Sequence, residues 1–184
     1  MINTFTSLGR CLMFIIGATQ KVLKELQIAA TGDVKISKSL NEWHLNLFKI
    51  GRYQCLILIN DLTLYSVVIP GVKKKDLVNI SELLTQHLSE NLLFEGIDSV
   101  LIEKFLGQGN EIVFTKTYNR SVVGVLIEIV KFIQVEYPTG KDIMAADPVE
   151  LNKINNGYIY SPNNYGQPDK MMKEQIKIVY SRPS

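Results

Sequence analysis

Between Val122 and Ile133 only Gly124, Glu128 and Lys131 interrupt a run of hydrophobes, and the run follows directly on the polar cluster from Thr115 to Arg120. Such a stretch reads as a helix capped by Asn119 or Ser121. So apolar a helix is expected in the middle of a domain, covered on more than one side. The side chains at its head would sit where unpaired backbone N–H groups favour an anion.

The other elements are read around it. Met13 to Ala18 is a short apolar strand, followed at once by a helix over Thr19 to Ile28 with Val22, Leu23 and Leu26 at helical spacing. Ala29 to Asn41 reads as a connection. Trp43 to Ile50 alternates, with Trp43, Leu45 and Leu47 on one face and His44, Asn46 and Phe48 on the other, which is the period of a strand. Gly51-Arg52 has the glycine-first order of a type II′ hairpin turn. Gln54 to Ile59 is apolar on both faces, as a central strand is, and Asn60 to Thr63 turns the chain into a third strand, Leu64 to Ile69, closed by Pro70-Gly71. Asn79, with Glu82 three residues on, resembles a capping box for a helix that reaches Phe94 and is ended by Gly96. A shorter helix over Ser99 to Leu106 leads through Gly107 to Gly109 into a strand over Glu111 to Lys116.

The expected fold is α+β: a mainly antiparallel sheet, made of the meander over 43–69 plus strands near 13–18 and 111–116, covered by helices, with a buried helix over 120–134. Three parts follow: an N-terminal extension 1–12, the α+β domain 13–137, and an Asn-, Pro- and Tyr-rich C-terminal extension 138–184. Short helices are expected there at Pro148 to Asn155 and Asp169 to Val179. That extension cannot form a second core. It either lies across the domain, pinned by Tyr158, Tyr160 and Tyr165, or reaches for a partner.

A formal net charge of +2 on 184 residues does not demand nucleic acid or a membrane surface as partner, although a local basic patch remains open. Cys11 and Cys55 make neither a disulfide framework nor a closely spaced zinc pair. A reducing cytoplasm is expected, with no metal and no cofactor. The apolar run after Arg10 is too short for a signal peptide, no hydrophobic region precedes Cys11 as in a lipoprotein, and no segment reaches the roughly 18 apolar residues of a membrane span. Met13 is the natural start of the folded part.

Four stretches carry a family likeness: Phe14 to Leu26 (FIIGATQKVLKEL), Trp43 to Leu47 (WHLNL), Asn60 to Tyr65 (NDLTLY) and Thr115 to Gly124 (TKTYNRSVVG). Together they resemble a family of small bacterial and mobile-element proteins known as domain of unknown function 6933, over about residues 13–134. The resemblance implies a bacterial, plasmid or phage origin. It carries no activity, and the segment after Pro138 lies outside it.

Candidate chemistry gathers at the head of the apolar helix. His44 and Asn46 share a strand face, while Thr115, Lys116, Asn119 and Arg120 lie at a strand-to-helix junction. If the sheet register brings them together they form a basic pocket suited to phosphate, with Asn46, Thr115, Asn119 and Arg120 holding the anion. His44, Lys116 and Arg120 would then also suit general acid–base cleavage of RNA without a metal. The plainer reading has Asn119 and Arg120 tying loops and His44 on an exposed strand face. His87 reads as half-buried packing and Lys73 to Lys75 as a solvated turn. Asp61 and Glu128 are single carboxylates, Gly107 to Gly109 is a strand-entry turn, and Ser121 lacks the glycines of a nucleophile elbow.

The function expected is a non-enzymatic binding or regulatory module of a bacterial mobile element or phage-related locus. It would contact a protein partner or a second copy through residues 138–184 and an exposed Trp43 strand. The alternative is a small metal-independent nuclease or nucleotide-processing enzyme built on His44, Lys116 and Arg120. Nucleic-acid binding without catalysis stands third, and no membrane partner is expected.

Overall fold

The computed structural model describes residues 14–32, 34–107 and 111–181. The expectations for residues 1–12, for Met13 and for Gln108-Gly109 lie outside the described residues. Five strands, β1 (Phe14–Ala18), β2 (Glu42–Ile50), β3 (Tyr53–Asn60), β4 (Ser66–Ile69) and β5 (Ile112–Lys116), form one sheet in the order β4-β3-β2-β1-β5. β3 is antiparallel to β2 and β4, whereas β1 runs parallel to both β2 and β5.

The sheet is therefore mixed, which corrects the expected mainly antiparallel one. Hairpins announce their pairing through turn residues, as at Gly51 (φ +56°). A strand reached through helical crossovers carries no local mark of its neighbours. Composition was the available hint, because β1 is buried at every position, as strands covered on both faces are.

Among the described residues eight α-helices cover the sheet: α1 (Gln20–Leu26), α2 (Lys74–Leu77), α3 (Ile80–Phe94), α4 (Ser99–Gly107), α5 (Arg120–Glu136), α6 (Gly140–Ala145), α7 (Pro148–Gly157) and α8 (Pro168–Tyr180). None of them is long and apolar enough to cross a membrane. The pleat sorts them. Trp43, Leu45 and Leu47 of β2, with Leu56 and Leu58 of β3, pack with α1, α3, α4 and α8, while Phe48, Ile57, Ile59 and Val68 pack with α5, α6 and α7. The result is three layers, helices on both faces of the sheet. Trp43, expected on an exposed strand, is 1% exposed, because β2 has strands on both edges and helices over both faces.

α5 also departs from expectation. It is unbroken through Gly124, but it is buried along one stripe only: Val122, Val125, Leu126, Ile129, Val130 and Ile133. These six side chains contribute on the order of 10 kcal/mol by burial, enough to dock the helix without a second cover. Its outer stripe holds Gly124, Ile127, Glu128, Lys131 and Val135, all exposed. The three residues that interrupt the apolar run all fall on that stripe, at helical spacing. The expected capping box at Asn79 is not made either. α2 ends two residues earlier at Leu77, Asn79 stands at φ −111°, ψ 50°, and its side chain does not reach the first turn of α3.

The C-terminal segment packs against both cores. α8 sends Met172, Ile176 and Tyr180 among the residues of the first, where the Phe105 ring meets Phe14 at 5.4 Å and Tyr180 at 5.8 Å. α7 lies along the free edge of β4. Asn152 accepts from the Val68 N–H (2.7 Å) and donates to the Val68 carbonyl (3.2 Å), and Asn156 does the same at Ser66 (2.7 and 2.8 Å). Four helical residues climb about 6 Å and two strand residues span about 6.6 Å, so amides four apart meet backbone groups two apart. Of the three tyrosines expected to pin this segment, Tyr160 is buried, whereas Tyr158 and Tyr165 are largely exposed.

Candidate functional site

His44 sits in β2 beside Gly17 of β1, which in turn pairs with Thr115 of β5. A Cβ on Gly17 would lie 2.9 Å from the His44 ring and 3.0 Å from Tyr118, so the missing side chain is what lets the imidazole lie across β1. Asp61 is brought to the other side of the ring by the Asn60 turn. The Asp61 N–H donates to the Glu42 carbonyl (2.9 Å), and Asn60 holds the turn by donating to Leu40 and Glu42 carbonyls and accepting from Thr63.

There His44 Nδ1 lies 2.6 Å from Asp61 Oδ1, with both side chains buried. The backbone N–H groups of Tyr118 and Asn119 point at Nε2 from 3.3 and 3.4 Å. Nε2 must accept from them, so the ring proton resides on Nδ1, facing the carboxylate. Asn119 completes the network: Nδ2 donates to Asp61 Oδ2 (3.3 Å) and Oδ1 accepts from Val122 N–H in the first turn of α5 (3.4 Å). Tyr118 covers the imidazole with ring centroids 4.4 Å apart. Burial, and then the negative charges of Asp61 and Glu42, push the Tyr118 phenol well up. The arrangement anchors the head of α5 to the sheet, and Asn119, not Ser121, is the cap.

The candidate residues do not all meet. His44 is 0% exposed beneath Tyr118, and so is not on an exposed strand face. Lys116 pairs with Ala18, one residue beyond the His44 row, so alternation aims it at the opposite face of the sheet. Lys116 and Arg120 are exposed. Asn46 accepts from the Thr19 hydroxyl (3.0 Å) and Thr115 donates to the Thr31 carbonyl (3.0 Å). Of the proposed anion ligands only Arg120 opens onto solvent without a partner among the described residues, in a shallow hollow with Thr117 and Gly124. His87 is half-buried, and burial lowers its pKa. Lys73, Lys74 and Lys75 are exposed at the start of α2.

A second site lies further along α5. Glu128, Phe132, Asn155, Tyr158 and Tyr160 line a cleft of about 190 Å³ between α5 and the end of α7. The Phe132 and Tyr158 rings meet edge to face at 5.4 Å. Tyr160 donates to the Asn155 carbonyl (3.4 Å), and burial together with the Glu128 charge pushes its phenol up to about 12. Asn155 is 1% exposed, and its Nδ2 has no hydrogen-bond partner. Glu128 makes no ion pair among the described residues; Lys153, the nearest lysine on α7, pairs with Glu150 and lies over Phe94. In the sequence Tyr158, Tyr160 and Glu128 stand out only separately. Only the packing of α7 against α5 joins them.

No curated protein and no solved structure matches the chain. One family does, over residues 15–171, a span that takes in the sheet, α5, α6, α7 and the start of α8. The chain therefore belongs to the family described as domain of unknown function (DUF6933).

Proposed function

We propose that the protein is a non-enzymatic binding or regulatory module whose partner, another protein chain, docks on the outer face of α5 and the segment at Tyr158 and Ile159. The observation that carries this reading is the sealed state of His44. With both ring nitrogens engaged in the interior, it has none left to take or give a substrate proton. The docking face is argued from exposed hydrophobes: Ile127, Val135, Tyr158 and Ile159 are 45%, 79%, 46% and 58% exposed, and the Phe132–Tyr158 contact joins the two segments into one surface. A cytoplasmic location fits Cys55, a buried free thiol. An origin in a bacterial mobile element or phage-related locus is carried over from the family resemblance.

Two measurements on the full chain test this. Incubation with RNA oligonucleotides and nucleoside triphosphates, read by mass spectrometry, is expected to give no turnover. Turnover abolished by Lys116→Ala or Arg120→Ala would restore the enzyme reading. Sedimentation velocity of tagged chain in host-cell extract is expected to show a heavier species that the double variant Val135→Asp, Ile159→Asp loses. Equal sedimentation of both proteins would remove the docking face.

A further inference from the structure

Three features of the α5–α7 cleft point to one kind of ligand. The first is charge: Glu128 lines the cleft and makes no ion pair among the described residues, although Lys131 lies one turn on along α5, while the lysine of α7 lies by Glu150 and Phe94. The second is the wall. Phe132, Tyr158 and Tyr160 line the same cleft as the carboxylate, and the faces of such rings attract cations. The third is the floor, where Asn155, almost completely buried, keeps an unused amide donor. Buried polar groups are rarely left so.

We infer that the cleft receives an arginine or lysine side chain presented by the protein partner, with Glu128 pairing its charge and Phe132, Tyr158 and Tyr160 packing along its stem, a proposal that rests on the binding-module reading above. Size agrees. A space of about 190 Å³ takes a basic side-chain head and stem but not a folded element. The surroundings favour a side chain over a free amine, because a small cation would leave Ile127, Val135 and Ile159 bare, whereas a chain carrying the basic residue covers them. The Glu128 charge already reaches the Tyr160 hydroxyl, whose proton it helps to hold. A cation seated between them would cancel that effect.

The test is an NMR titration of the labelled full chain with the pentapeptide Ac-Leu-Ala-Arg-Ala-Leu-NH2. Controls are the same peptide carrying citrulline, which keeps the shape of arginine without its charge, and tetramethylammonium chloride. Saturable shifts centred on Phe132, Tyr158 and Tyr160 are expected. The citrulline peptide should bind about fivefold to tenfold more weakly, as loss of one cation–π and ion-pair contact implies. In Glu128→Gln, an exposed substitution that leaves the packing alone, arginine and citrulline peptides should bind alike. Equal binding of the two peptides to the unmodified chain, undiminished discrimination in Glu128→Gln, or no saturable shift up to about 5 mM, the weak end for a single anchor, overturns the proposal. Tetramethylammonium binding as tightly as the arginine peptide overturns the side-chain source. Any of these results, with the sedimentation difference of Val135→Asp, Ile159→Asp intact, sinks the cationic ligand and leaves the docking face standing.

Discussion

Asn156→Leu tests how far side-chain amides can stand in for a neighbouring strand. In the native chain Asn156 accepts from the Ser66 N–H at 2.7 Å and donates to its carbonyl at 2.8 Å, with Asn156 0% and Ser66 1% exposed. Leucine keeps the branched shape of asparagine but is larger, so the substitution opens no cavity and must find room for its methyl groups. It leaves one buried donor and one buried acceptor unpaired, at about 1–3 kcal/mol each. The added apolar surface offsets about 1–2 kcal/mol of this. A net loss of about 2–3 kcal/mol remains. With a urea dependence of about 2 kcal/mol per molar, the unfolding midpoint followed by far-UV circular dichroism falls by about 1–1.5 M. Asn152→Leu should do the same through Val68. Asn156→Asp keeps the acceptor for Ser66 N–H but sets a carboxylate against the Ser66 carbonyl, and near neutral pH it should be at least as damaging as leucine. A midpoint for Asn156→Leu within about 0.3 M of the unmodified chain would mean that the edge of β4 has no need of these amides.

Other substitutions probe the network at the head of α5 and the titrations of His87 and Tyr160. His44→Ala leaves the Asp61 carboxylate buried with Asn119 as its remaining partner and should cost about 3–5 kcal/mol, whereas Asp61→Asn, which still accepts from Nδ1–H, should cost about 1–2 kcal/mol. Equal losses on thermal denaturation would refute the hydrogen bond from neutral His44 to a buried Asp61 carboxylate. Burial holds the His87 imidazole below its ordinary 6.5, so the unfolded chain takes up that proton first; stability should fall as pH drops through 6.5 and level off below the folded value. His87→Gln should flatten this decline, and an unchanged slope would exclude His87 as its source. Tyr160, held up near 12 by burial first and Glu128 second, adds stability that is present below pH 10 and lost as pH rises towards 12. In Glu128→Gln its titration, followed by the ring carbon resonances, should move part of the way down, and an unmoved curve would separate the two groups.

Local chemistry made some of this legible in the sequence and non-local packing hid the rest. The hairpin at Gly51 and the opposed faces of β2 follow from a positive-φ position and a two-residue period, both contained within a few residues. The position of β1 between β2 and β5 does not, because its partners are 27 or more residues away through helices whose route leaves no signature in the strand. His44 was found as a chemically capable residue, but its fate depends on Asp61, Gly17 and Tyr118, which only the register assembles. α5 departs from expectation for a different reason: a count of apolar residues points to full burial, while the helical spacing of Gly124, Glu128 and Lys131 in the same run marks a wet side. Asn152 falls inside the helix expected over Pro148 to Asn155 and Asn156 just past it, but nothing within a helix says that its amides will meet an edge strand.

The meeting of Phe14, Phe105 and Tyr180 has a consequence for how the molecule is made. β1 cannot finish its packing until α8 arrives, so a nascent chain that has not yet released Tyr180 from the ribosome holds an open, greasy face. Removing α8 would not trim an appendage. It would freeze the protein in the condition of its own unfinished translation product, a species suited to aggregation or chaperone capture.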